Sequence, residues 1–131
     1  MTVLPLTSLV TLLVLLLMIG TGMHVGRARG LYGIKAPALT GHAMFERAYR
    51  IQMNTLENAA VMLPALWLYA GVIGDRGAAV MGLVWIAARV WYALAYQRDP
   101  AKRGGGFTLA FIAVAGLWLG ALWGVARVLM H

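Results

Sequence analysis

Residues 45–58 read FERAYRIQMNTLEN, and the sixteen that follow read AAVMLPALWLYAGVIG. The polar stretch runs into lipid-like sequence with no turn residue between them, so one helix carries both. At about 100° per residue, with Arg50 set at 0°, Asn54 falls near +40°, Glu57 near −20° and Arg47 near +60°. All four share a face of roughly 80°, and Glu57 lies about 10 Å along the axis from Arg50. An ionisable group at membrane depth is costly unless it is paired or faces a cavity. This ladder is therefore the first place to look for function.

Outward from the ladder, composition bounds the class. The chain has 131 residues, enough for one domain. It is 62% hydrophobic and only 11% charged, well above the roughly 45–50% apolar content of a soluble domain. An integral membrane protein follows. With no cysteine, disulfides, thiolate metal sites and a protein thiol nucleophile are all excluded. Any thiol chemistry belongs to a ligand. The net charge of +7 would suit nucleic acid, but the basic residues cluster in two short connections between apolar segments. That is where membrane proteins keep cytoplasmic positive charge, so no nucleic-acid partner is expected.

Four apolar spans stand out in this single domain of residues 1–131, at roughly 3–23, 45–73, 78–96 and 107–129. Each is near the roughly 20 residues that cross a bilayer; in the second, the fully apolar part begins near Thr55. The first has no basic n-region and no small-residue cleavage site, so it reads as a retained helix. Residues 24–44, with four glycines and Pro37, read as a loop, and the second helix is expected to begin near Gly41 or His42. GDRG at 74–77 reads as a tight turn. QRDPAKRGGG at 97–106 reads as a second loop in which Pro100 and the three glycines end any helix.

Arg27, Arg29, Lys35, Arg47, Arg50, Arg98, Lys102 and Arg103 lie in the two long connections, against only Arg76 and Arg127 at the other end. By the positive-inside bias both long connections face the cytoplasm and both termini the opposite side. The expected fold is all-α: an integral membrane four-helix bundle, up-down, with a cytoplasmic basic mouth.

The third span carries a second polar face. With Arg89 at 0°, Tyr92 falls near −60°, Tyr96 near −20° and Trp91 on the far side, near roughly 200°. Arg89 stands in an apolar run, and Glu57 is the acid on the intramembrane side of the ladder, which makes it the natural partner. Such a pair also serves as structural glue between helices. Arg29, Arg50, Arg98, Lys102 and Arg103 can converge on a small anion, since arginine forks match carboxylates; each one alone is better explained by topology. His24, His42 and His131 are too far apart for a local metal motif and read as interfacial, so no metal site is expected. The five tryptophans fit lipid-facing or interface positions. Gly116, Gly120 and Gly124, spaced by four, suit close helix packing.

Taken together, ERAYRIQMNTLEN resembles the E-R-x-x-R-x-x-x-N-x-x-E signature of the MAPEG family, membrane-associated proteins of eicosanoid and glutathione metabolism. The likeness covers nearly the whole chain: four spans, a long first loop, and R-x-x-Y-x-x-x-Y in the third span before a basic loop. The second-helix signature is the more specific part. The resemblance implies homotrimers that bind glutathione between subunits at the cytoplasmic side.

Residue by residue, it puts Arg50, Asn54 and Glu57 on glutathione, adds hydroxyls from Tyr92 and Tyr96, and has Arg29 and Arg89 lining or supporting the same site. Arg103 matches the arginine that activates the thiol in the cysteinyl-leukotriene synthase branch; the glycines at 104–106 leave Lys102 and Arg98 as alternatives in register. A cation beside the sulfur lowers its pKa and raises the thiolate fraction. Asn58 stands where that branch has tyrosine, a difference that turns the likeness toward the glutathione transferase branch.

The implied activity is conjugation of glutathione, the co-substrate, to small lipophilic electrophiles, with glutathione peroxidase activity as an extension, in a bacterial inner membrane. The competing reading is a non-catalytic membrane lipid- or ligand-binding protein of the same family. A small four-helix exporter would want a carboxylate in the first helix, and that helix has none.

Overall fold

A computed structural model describes residues 3–131. It is an all-α four-helix bundle: α1 (Pro5–Tyr32), α2 (Ala43–Val72), α3 (Asp75–Arg98) and α4 (Gly104–Leu129), with one 3-10 turn at Pro100–Lys102. The up-down order is visible at both ends. At one end the Asp75 carboxylate, first residue of α3, accepts from Leu6 N at 3.0 Å, Thr7 N at 2.8 Å and Thr7 Oγ1 at 2.7 Å. It thereby satisfies first-turn N–H groups of α1 that have no partner within their own helix. At the other end a His24 ring nitrogen pairs with Gln97 Oε1 at 3.0 Å, joining α1 to the end of α3. Arg47 of α2 donates to the carbonyls of Gln97 and Arg98 at 3.0 and 3.2 Å, capping α3 where its carbonyls are free.

Three of the helices are long and apolar enough to cross a membrane: α1, α3 and the 3-10 turn with α4. The second, also expected to span, is the exception. Asn54, Glu57 and Asn58 interrupt its apolar run, yet it is 30 residues long and packs against each of the other three. Its polar groups turn inward or into a recess. Between its charged ends the exterior is apolar, with Leu12, Leu16, Ile19, Phe111, Trp118 and Leu119 all exposed. A surface of that character is stable against lipid.

Inside, Val10, Val14, Met62, Leu66, Trp85 and Leu117 interlock with alanines from α2, α3 and α4. Trp85 corrects the expectation that every tryptophan faces lipid or interface. It is fully buried, and its indole N–H donates to Asn58 Oδ1, which supplies the partner a buried indole requires.

Two expected loops are shorter than the glycine content suggested. α1 runs through the glycines at 20–30 and stops at Gly33, whose φ of +67° is the left-handed conformation that glycine adopts freely. Only residues 33–42 connect it to α2. His42 caps α2 by accepting from Met44 N, and its ring stacks 3.9 Å from that of Tyr32. Likewise Gly104–Gly106 do not end a helix; they open α4. A Cβ on Gly106 would lie 2.6 Å from Tyr92 N and 2.8 Å from Ala88 O, so α4 approaches the α3 backbone there without a side chain between them. Further along, Gly116, Gly120 and Gly124 accept Met81, Tyr69 and Val72, the close packing their spacing suggested.

A Gly106→Ala substitution must therefore push α4 off rigid backbone rather than off a side chain that can rotate away. It is expected to cost about 1–3 kcal/mol, read as a drop of several degrees in the thermal midpoint in detergent. Gly104→Ala, whose Cβ meets nothing within 4 Å, should leave the midpoint unchanged or raise it slightly.

Candidate functional site

The site is built where α2 and α3 face each other near the basic end. Arg50, Met53, Asn54 and Glu57 from α2, Tyr92 and Tyr96 from α3, and Arg103 line a recess of about 310 Å³. Of these lining residues only Met53 is apolar. Two arginines against one carboxylate leave the lining with an excess of positive charge. The rings of Tyr92 and Tyr96 lie 5.6 Å apart, tilted by 41°, which follows from their four-residue spacing on one helical face.

Arg89 underlies this wall. It is fully buried, and Nη2 donates to Asn54 Oδ1 at 2.8 Å and to Thr55 Oγ1 at 2.9 Å. The guanidinium carbon lies 4.1 Å from the Tyr92 ring centroid, over its face, an arrangement that stabilises a desolvated cation. Nε and Nη1 have no hydrogen-bond partner among the described residues. Because an arginine nitrogen only donates, the Asn54 atom facing it must be the amide oxygen. The remaining amide N–H groups are then free to serve acceptors in the recess. This corrects the expected Arg89–Glu57 pair: Asn54 and Thr55 stand closer to α3, and Glu57 is exposed, with its carboxylate left to the recess.

Arg103 follows the 3-10 turn and donates from Nη1 to Pro100 O at 2.8 Å. That turn is held in place by Asp99, whose side chain accepts from Ala101 N at 3.0 Å. Arg103 also borders a second hollow, of about 510 Å³, with Ala101, Gly104 and Phe107. One cation thus stands between a polar recess and an opening flanked by an aromatic ring.

Six of the residues singled out in the sequence, Arg50, Asn54, Glu57, Tyr92, Tyr96 and Arg103, line the recess together. Arg89 supports it from behind. Arg29 does not line it: this side chain donates to Ala38 O at 2.8 Å, more weakly to Ile34 O at 3.4 Å, and lies 4.8 Å over the Phe45 ring, pinning the first connection. Arg98 and Lys102 are exposed outside the lining, and Arg47 leaves the ladder to cap α3. Thr55 and Met53 escaped sequence reading. Thr55 had one available signal, since Arg89 required acceptors and Thr55 adjoins Asn54.

Comparison with known proteins gives the chain a family. The model of the MAPEG family matches residues 7–123. An uncharacterized protein of Synechocystis is 45% identical over 121 residues, covering 89% of this chain and 85% of that one. Microsomal glutathione S-transferase 2 of Mus musculus is 39% identical over 103 residues, covering 79% and 70%. Leukotriene C4 synthase of Cavia porcellus is 36% identical over 115 residues, covering 87% and 74%. The chain belongs to the MAPEG family, and it is a membrane protein.

If Arg89 organises the wall through Asn54, the two positions are coupled energetically. Asn54→Leu should destabilise the protein by about 1–2 kcal/mol, because it strips a charge-assisted partner from a buried cation. The Arg89→Met, Asn54→Leu pair should lose less than the sum of the single changes. Reversible unfolding in detergent micelles measures all three.

Proposed function

We propose that this protein is a membrane-bound glutathione transferase that adds glutathione to small lipophilic electrophiles. The observation that carries this reading is the position of Arg103, shared by the polar recess and the hollow beside Phe107. Similarity to proteins named as a glutathione S-transferase and a leukotriene C4 synthase supports it.

In this reading Arg50 forks onto a glutathione carboxylate, the Asn54 amide donates to a peptide or carboxylate oxygen, and Glu57 accepts from the α-ammonium. The hydroxyls of Tyr92 and Tyr96 orient the peptide. Arg103 lies beside the sulfur. A cation there favours thiolate over thiol; the thiolate forms the new C–S bond with an electrophile arriving from the lipid side through the hollow. The leaving group departs with the displaced electron pair, or, in an addition, the electrophile takes up a proton. In the accompanying peroxidase activity the same thiolate attacks a lipid hydroperoxide, forming an S–O bond as O–O breaks and the alkoxide leaves as the alcohol after taking a proton; a second glutathione then attacks the sulfenic sulfur, giving the disulfide and water. Arg29, held on the first connection, belongs to the glutathione site of a neighbouring subunit in a homotrimer. The basic end faces the cytoplasm of a bacterial inner membrane.

Arg103→Ala should lower the conjugation rate at pH 7 by roughly 2–10-fold, the thiolate fraction lost if a bound thiol pKa of about 6 rises by one to two units. The direction is fixed: without the cation the thiol holds its proton, so the pH–rate profile moves to the alkaline side and rate is recovered there. Full conjugation rate at neutral pH would sink the assignment of Arg103. Arg50→Ala should act differently, raising KM for glutathione about tenfold with kcat nearly unchanged and no displacement of the pH profile. A non-catalytic lipid binder would show no glutathione-dependent rate in any of these proteins.

A further inference from the structure

On a different face from the recess, a furrow runs along α1. Its lower part, about 280 Å³, is lined by Leu17, Gly20, Thr21, Ile51 and Leu94, among others. Its upper part, about 270 Å³, is lined by Arg27, Leu31, Tyr32 and Met44. The two share His24 and Gln97, whose mutual hydrogen bond forms the waist. None of the site residues described above takes part in it.

The furrow has the polarity and dimensions of one leaflet. From Leu17 to Arg27 is about 15 Å along the helix axis, and from Leu17 to Leu31 about 21 Å. Half of the hydrocarbon core is also about 15 Å, and half of the bilayer with its headgroup zone about 20–22 Å. The wall is apolar below the waist and carries Arg27, His24 and Tyr32 at or above it. None of the chain's four acids lines either part, so the upper end is complementary to an anion. Gly20 keeps the lower part open. It lies inside a helix, where glycine is the poorest former after proline, yet a Cβ there would meet nothing within 4 Å.

We infer that this furrow binds one anionic phospholipid, with an acyl chain along Leu17, Gly20 and Leu94 and the phosphate at Arg27 and His24. The chain supplies shape in the apolar half, and the headgroup supplies charge recognition at the rim. Selectivity then depends on Arg27 in particular, and not on the excess of basic residues at that end of the protein.

Native mass spectrometry of the full chain tests this, using micelles that hold equal amounts of phosphatidylglycerol and phosphatidylcholine with matched acyl chains. The wild type should retain one phospholipid per chain, favouring phosphatidylglycerol roughly fivefold, the effect of about one well-placed cation at the surface. Lys35→Gln, which removes a charge from the same end but outside the furrow, should keep that ratio. Arg27→Gln, at an exposed position, should bring it near parity. Gly20→Trp should abolish retention of both lipids. Wild-type protein that retains no lipid or shows no preference overturns the inference. So does an Arg27→Gln protein with the wild-type ratio, or a Gly20→Trp protein that still holds lipid. A Gly20→Trp protein with an altered subunit count and unaltered lipid retention would assign the furrow to a second copy of the chain, which also overturns it.

Discussion

A guanidinium with no exposed surface, Arg89, sits between α2 and α3, and the geometry of the site depends on how it is held. Burying a lone cation is costly; a cation given two oxygen acceptors and an aromatic face is tolerable. Those partners are Asn54, Thr55 and Tyr92, and satisfying them fixes the rotation of α2 against α3. With Asn54 and Thr55 turned to Arg89, Arg50 and Glu57 are carried to the neighbouring face, beside Tyr92 and Tyr96. One buried charge thus sets which side chains look into the recess, and also which end of the Asn54 amide does so.

The ends of the bundle protect this arrangement. Asp75 ties the start of α3 to the first turn of α1, while Arg47, His24 and Gln97 tie the three helices together at the basic end. Most of the recess therefore stands on helices, which hold a constellation more accurately than loops do. Arg103 is the exception, placed by a 3-10 turn, and its backbone anchor at Pro100 compensates. Glycine at position 106 lets α4 close against α3 just beyond it, so the cation is held near the tyrosines instead of swinging free.

Much of this was legible in the residues. Helical spacing alone grouped Arg50 with Asn54 and Glu57, and Arg89 with Tyr92 and Tyr96, because angular position on a helix is fixed by residue count. The bundle followed from four apolar runs and punctuating connections. Pairing across helices was not legible in the same way. Which acceptor reaches Arg89 depends on interhelical rotation, so Glu57 looked the natural partner while Asn54 and Thr55 took the contact. Arg47 shares the angular face of Arg50 but sits a turn nearer the end of α3, and free carbonyls there capture it. Glycines misled in both directions: those at 20–30 lie inside α1 and those at 104–106 open α4, where close approach or open space, not a turn, explains them. Trp85 was hidden by composition, since a tryptophan in an apolar span looks alike whether it meets lipid or a buried asparagine.

The central claim, that the recess takes glutathione and holds its sulfur as thiolate, is tested most directly by counting protons. Calorimetric titration of glutathione into the purified protein at pH 7, repeated in buffers of different ionisation enthalpy, measures protons released per ligand bound. A thiol with a pKa of about 8.5 is mostly protonated in solution at that pH, so binding as thiolate should release close to one proton per site. Binding without proton release, or no binding heat at all, would contradict the account.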